Sequence, residues 1–286
     1  MSGPNFIGVG GMKCATTWIS ECLRYHPEIF ISQIKEIHYF SRHYKNGYNW
    51  YIEKNFKGSE NYKAVGEFST SYLDDEFAPE RIYNSLGEVK IVISLRNPIE
   101  RFISHYKHIY RNEDKGENLN ISNINIENYQ RAIKLYPELL EKGEYYNQLM
   151  NYIEIFGESN IHIILKDDID REPQTVLEDL YNFLEVKSNY VAATTNKEVS
   201  IGIVPKYYKL EKIRVTLYKF MKRNAPWVIL LIRKIRLGEM YRKLNKKNEN
   251  IKVDKRVKKE LLNHYRDSTM KTSKLLNKNL DHWLKI

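Results

Sequence analysis

Two stretches of this sequence carry side chains whose types and spacing suit the binding of phosphate. The first is Gly10-Gly11-Met12-Lys13-Cys14-Ala15-Thr16-Thr17-Trp18, which follows a short apolar run and leads into a helical pattern. A glycine-bearing turn from strand to helix offers backbone N–H groups, and the positive end of the helix dipole adds to their pull on an anion. Lys13 contributes a point charge, and Thr16 and Thr17 contribute hydroxyl donors. A magnesium-bound triphosphate needs a Gly-Lys followed at once by Ser or Thr. Two residues separate Lys13 from Thr16, so that ligand is not expected. The second stretch is Arg96-Asn97-Pro98, opening a helical run that carries Glu100, Arg101 and Ser104. Proline suits a first helical turn, where its missing N–H has no partner to lose. Arg96 at the end of a strand and Ser104 two turns later can grip a second phosphate, one by its fork and one by its hydroxyl.

These side chains need a scaffold, and the sequence spells one out by alternation. Short apolar, β-branched runs at Phe6–Val9, Ala64–Gly66, Lys90–Leu95 and Ile161–Leu165 read as buried strands. Between them lie helical patterns: Trp18, Ile19, Cys22 and Leu23; Ile99, Phe102, Ile103 and Tyr106; Val176, Leu177, Leu180, Phe183 and Leu184. Strands alternating with helices predict an α/β fold, a P-loop-like parallel sheet flanked by helices, with ligands at the carboxyl ends of the strands. Residues 112–128, polar and Asn-rich, read as a long surface loop. From Asp254 onward Val257, Leu261, Leu262 and Tyr265, then Leu275, Leu276, Leu280 and Trp283, read as amphipathic helices returning to the core. One domain over residues 1–286 is expected, with a basic helical insertion at 206–250.

Composition bounds the function. Of the 286 residues 42% are hydrophobic and 29% charged, with 10 Phe and 22 Tyr, which is core-forming material a disordered chain lacks. The longest charge-free apolar run, Ala225–Ile232, is far short of the roughly 18 to 20 residues that span a bilayer, and no short apolar stretch follows Met1. With only Cys14 and Cys22, no disulfide framework or zinc knuckle is available, and a reducing compartment is expected. The net charge of +10 is concentrated in residues 206–250, which hold fourteen Lys or Arg against Glu211, Glu239 and Glu249. That segment alone carries +11, the remainder −1. A stripe of this kind suits an anionic surface such as a membrane face, or else is a solvated helical flank. A cytoplasmic protein follows, with peripheral contact at the inner membrane face through 206–250 and no nucleic-acid partner.

The loop Lys13–Thr17, the His26-Pro27 that follows it, and the Arg96-Asn97-Pro98 run with Ser104 eight residues after the arginine together resemble the sulfotransferases that use 3′-phosphoadenylyl sulfate (PAPS). The resemblance spans nearly the whole chain, least so at 206–250, and implies the sulfotransferase fold, PAPS as co-substrate and no metal. Lys13, Cys14, Ala15, Thr16, Thr17 and Trp18 then hold the 5′ end of PAPS, and Arg96 with Ser104 its 3′-phosphate. Ala15 stands where the family usually has glycine, so a positive φ there strains the backbone. Lys35-Glu36-Ile37-His38-Tyr39-Phe40 is similar to the Glu-x-His-Phe-Phe run of the glycan-modifying branch. The likeness makes Glu36 the general base, with His38 second to it, and a carbohydrate or glycolipid the acceptor. Ala64–Leu73 is similar to a Glu-Lys-Thr-Pro segment with Phe68 in place of the lysine; Glu67 and Ser69 then line the acceptor pocket. Residues 196–206, with Lys197, Ser200, Gly202 and Lys206, match a loop that closes over the adenosine in relatives.

Two other readings stay open at this level. In a P-loop kinase, Asp167 or Asp168 after the strand Ile161–Leu165 would carry magnesium. A non-enzymatic anion- or membrane-binding module would rest on the basic segment alone.

Overall fold

The computed structural model describes residues 3–112, 123–192 and 252–285, with isolated positions at 195, 204–205, 217, 221 and 246–247. The basic segment 206–250 and the closing loop 196–206 therefore fall almost wholly outside the described residues, as does the middle of the Asn-rich stretch.

Five parallel strands form the central sheet: β1 (Phe6–Gly8), β2 (Ile29–Ile31), β3 (Ala64–Phe68), β4 (Lys90–Leu95) and β6 (Ile161–Leu165), in the order β2-β3-β1-β4-β6. The short β5 (Asn123–Ile124) lies apart, paired with Lys252–Val253. Alternation along the strands sorts their side chains to the two faces. Ile7, Ile91, Ile93 and Leu95 pack beneath α2 (Tyr48–Asn55), α3 (Ala78–Leu86) and α7 (Tyr145–Phe156), whereas Phe6, Val92 and Ile164 meet α1 (Thr16–Arg24), α8 (Lys166–Arg171) and α9 (Pro173–Phe183). A third apolar cluster joins α4 (Pro98–Asn112), α5 (Ile126–Leu135), the single turn α6 (Glu138–Glu141) and α10 (Lys255–Leu275). The expected α/β architecture is thus the observed one.

From β1 the chain moves to the β2 edge, and from β4 it moves to the β6 edge, so the winding reverses between β1 and β4. A crevice opens at such a reversal, at the carboxyl ends of the strands. Lys13 and Arg96 follow those two strand ends.

Three differences from the sequence reading have local causes. Ile29–Ile31, not among the strands expected from the sequence, forms an edge strand; at three residues it is too short for its pattern to show. The Asn-rich stretch is not a loop throughout: Asn123–Ile124 pair as a strand, and the Asn125 side chain caps α5 by accepting from Asn128 N at 2.8 Å. Leu280 and Trp283 lie not in a second amphipathic helix but at and in a 3₁₀ turn, Asp281–Leu284.

Candidate active site

The first loop is built against the end of β4. Gly11 N donates to Ser94 O at 2.9 Å, and a Cβ on Gly10 would lie 2.3 Å from Ser94 Oγ, so only glycine permits this approach. Helix α1 then starts with no side-chain cap, which leaves its first-turn N–H groups directed out of the loop. An uncapped nine-residue helix behind a close-packed glycine turn fits a phosphate. Lys13 and Ala15 have φ of 72° and 67°, the left-handed region. Ala15 therefore takes the conformation that the usual glycine would adopt freely, at a cost of about 1 to 2 kcal/mol.

Not every residue of the loop faces the crevice. Cys14 N donates to Gly11 O at 3.1 Å, and its buried Sγ lies 3.7 Å from Tyr145 Oη, so Cys14 shapes the loop from within and adds no donor. Burial pushes its thiol up to about 11, against the hydrogen bond with Tyr145 and the charges of Arg101, Arg96 and Lys13. Such a thiol is unreactive. Trp18 is buried beside α9, its Nε1 donating to Thr195 O at 3.3 Å; only its backbone belongs to the first turn. Thr16 is buried, and Thr17 Oγ1 accepts from Lys35 Nζ at 2.7 Å.

Arg96 follows β4 directly, and Asn97 caps α4 by accepting from Ile99 N at 2.9 Å, which explains the Arg-Asn-Pro spelling. The Arg96 guanidinium rests on Glu100 Oε2, its NH2 at 2.9 Å. This pair is partly exposed and so weak, which allows a phosphate to take the carboxylate's place. Tyr145 Oη donates to Arg96 O at 2.9 Å and so ties this strand end to the Cys14 turn. Ser104 sits half-buried on the second turn of α4.

The expected acceptor side gathers at the ends of β2 and β3. Glu36 N donates to Phe68 O at 3.0 Å, bringing the Lys35–His38 run onto the end of β3. Glu36 Oε1 accepts from Lys35 Nζ at 3.2 Å, and Oε2 accepts from Thr70 Oγ1 at 3.1 Å and lies 3.4 Å from His38 Nε2. His38 Nδ1 is 2.6 Å from Ser71 Oγ, itself 2.6 Å from Ser41 Oγ. A carboxylate only accepts, so the contact with Glu36 is made by a proton on Nε2. Partial burial works to raise the Glu36 carboxyl, but the hydrogen bond from His38 and the Lys35 ammonium outweigh it and hold the group at about 2. Glu36 is ionised throughout the physiological range. Of the six non-glycine residues with positive φ among the described residues, four are Lys13, Ala15, Glu36 and His38. In proteins generally, backbone strain of this kind clusters at functional sites.

Glu67 lies one layer deeper, accepting from Tyr72 Oη at 2.6 Å and Ser69 Oγ at 2.8 Å; Ser69 Oγ in turn accepts from His38 N. Both residues are buried, so they support the Glu36 run rather than line an open pocket. Burial pushes the Glu67 carboxyl up from 4.5 to about 7, in spite of the Tyr72 and Ser69 donors. An acid whose folded value is raised costs no stability below its unfolded value; the cost grows between the two values and is complete above the folded one. Wild-type stability therefore falls between pH 5 and pH 8, by about 3 kcal/mol at most, and Glu67→Gln removes that slope. Urea melts at the two pH values check it; an unchanged slope in the variant would assign the titration elsewhere.

The sequence reading passed over Lys35, Thr70, Ser71 and Tyr145. A lysine beside the glutamate was the one local signal for Lys35, whereas Tyr145 is 49 residues from Arg96 and carries none. Asp167, the magnesium ligand of the kinase reading, accepts from Trp283 Nε1 at 2.5 Å and lies 2.8 Å from His282 Nε2. It anchors the C-terminal turn.

Comparison with known proteins bears on this arrangement. A family model described as sulfotransferase domain matches residues 4–225. The membrane-associated sulfotransferase kil1 of Dictyostelium discoideum is 25% identical over 315 aligned positions, covering 78% of this chain and 66% of its own. The bifunctional heparan sulfate N-deacetylase/N-sulfotransferase 1 of Caenorhabditis elegans is 26% identical, covering 64% of this chain and 22% of its own. The heparan sulfate glucosamine 3-O-sulfotransferase 5 of Mus musculus is 26% identical, with 64% and 54% covered. The chain thus spans from about a fifth to about two thirds of the length of these relatives. A solved sulfotransferase from Alicyclobacillus acidocaldarius superimposes along the whole of both chains with a TM-score of 0.70 at 23% identity, a likeness of fold.

Proposed function

This chain belongs to the sulfotransferase domain family, and from that membership and its site we propose that it transfers the sulfuryl group of PAPS to a hydroxyl, or less readily an amine, of a carbohydrate or glycolipid. One observation carries the reading. The anion cradle at the start of α1 and the ionised Glu36 are contiguous, joined through Lys35 between Thr17 Oγ1 and Glu36 Oε1. A donor held in the cradle and an acceptor held at Glu36 are brought next to each other.

Each side chain then has a task. Lys13 and the N–H groups of the α1 first turn receive the negative charge that develops on the leaving 5′-phosphate. Arg96 exchanges Glu100 for the 3′-phosphate, with Ser104 adding its hydroxyl. Glu36 takes the acceptor proton. Because Glu36 is a weak base at about 2, it takes that proton late, once the forming O–S bond has made the hydroxyl acidic. His38, fixed by Ser71, aims the carboxylate.

A carbohydrate acceptor is supported by the heparan sulfate relatives and by the Glu36 run. A membrane-borne one is supported by the +11 of residues 206–250 and the membrane-associated relative; no helix among the described residues is long and apolar enough to cross a membrane. Transfer of labelled sulfate from PAPS to a panel of oligosaccharides, small phenols and glycolipids in anionic vesicles tests the proposal. Label in a sugar product supports it. Label in the phenols alone refutes the acceptor class, and label in no acceptor refutes the activity.

A further inference from the structure

We propose that Lys35 is a further catalytic residue, its ammonium donating to the sulfuryl oxygens as that group passes from donor to acceptor. The inference rests on the sulfotransfer reading above.

Lys35 Nζ donates to Thr17 Oγ1 at 2.7 Å and to Glu36 Oε1 at 3.2 Å, so one ammonium spans from the donor cradle to the acceptor-side carboxylate. An ammonium carries three N–H donors, and these contacts use two. The side chain is 26% exposed, so its charge is less screened than a surface lysine's. At the end of β3 itself, Phe68 packs edge-on against Phe6 and supplies no charge. The Lys35-Glu36 pair docks on that same strand end through Glu36 N and Phe68 O, which puts a cation at the site from the neighbouring loop.

In the transfer, an acceptor oxygen lone pair forms the bond to sulfur. The bond from sulfur to the bridging oxygen breaks, and its electron pair leaves on adenosine 3′,5′-bisphosphate. The acceptor proton goes to Glu36. Lys35 gives up no proton; it neutralises charge on the non-bridging oxygens of the group in flight.

A clamp that merely held Thr17 and Glu36 in place would make the same two contacts, so the test separates the two roles without needing an acceptor. Wild type, Lys35→Met and Lys35→Gln are titrated calorimetrically with PAPS and with adenosine 3′,5′-bisphosphate, which differs only by lacking the sulfuryl group. Loss of a charged donor to the sulfuryl group weakens PAPS about tenfold, with the bisphosphate changed less than twofold. Lys35→Arg regains part of the PAPS affinity. Equal weakening of both nucleotides identifies a clamp and overturns the proposal, as does unchanged binding of both. A wild type that binds neither nucleotide overturns the sulfotransfer reading itself.

Discussion

Glu36→Gln lowers turnover by about two to four orders of magnitude while the fold and the affinity for adenosine 3′,5′-bisphosphate stay at wild-type values. The amide keeps the shape of the carboxylate, and its one oxygen still accepts from Lys35 or from Thr70, so packing at the end of β3 is retained. What it lacks is the capacity to take a proton from the acceptor. Because Glu36 titrates at about 2, the wild-type profile of turnover against pH has no acid limb from this group above pH 4. Steady-state kinetics with the best acceptor of the panel, alongside thermal melts, checks both points. Turnover near wild type in the variant removes Glu36 from the mechanism.

Lys13→Ala costs about 10² to 10³ in turnover, the usual worth of one preorganised donor to developing charge. The substitution isolates charge from backbone shape. Lys13 has φ of 72°, and alanine bears the same left-handed strain as lysine, so the loop is biased no further than in the wild type. The substitution leaves Arg96 in place to hold the proposed 3′-phosphate, and PAPS binding weakens less than turnover does. Single-turnover measurement separates the two, and a loss confined to PAPS binding would make Lys13 a uniform binding residue.

How far the sequence discloses this site depends on the range of the interaction. Both phosphate stretches are local, each a strand that runs into a helix, and Gly10-Gly11 and Arg96-Asn97-Pro98 state their turn chemistry within a few residues. The left-handed backbone at Ala15 is not legible, since alanine gives no sign of it and only the packing of Gly10 and Gly11 on Ser94 imposes it. Nor is the Tyr145 bond to Arg96, which exists because α7 packs across the end of β4. His38 offered no spacing that tied it to Ser71, for they meet only once β3 and the loop after β2 are side by side. The expected contacts of 196–206 and of the basic segment lie outside the described residues.

Thermal melting with nucleotides tests most directly the claim that the cradle after β1 and the arginine after β4 together hold a nucleoside bisphosphate. A ligand that binds only the folded state raises the melting temperature in proportion to its occupancy. With a chelator present and no metal added, adenosine 3′,5′-bisphosphate is predicted to raise it, and ATP with magnesium to raise it far less; an equal or larger rise with ATP and magnesium would contradict the account.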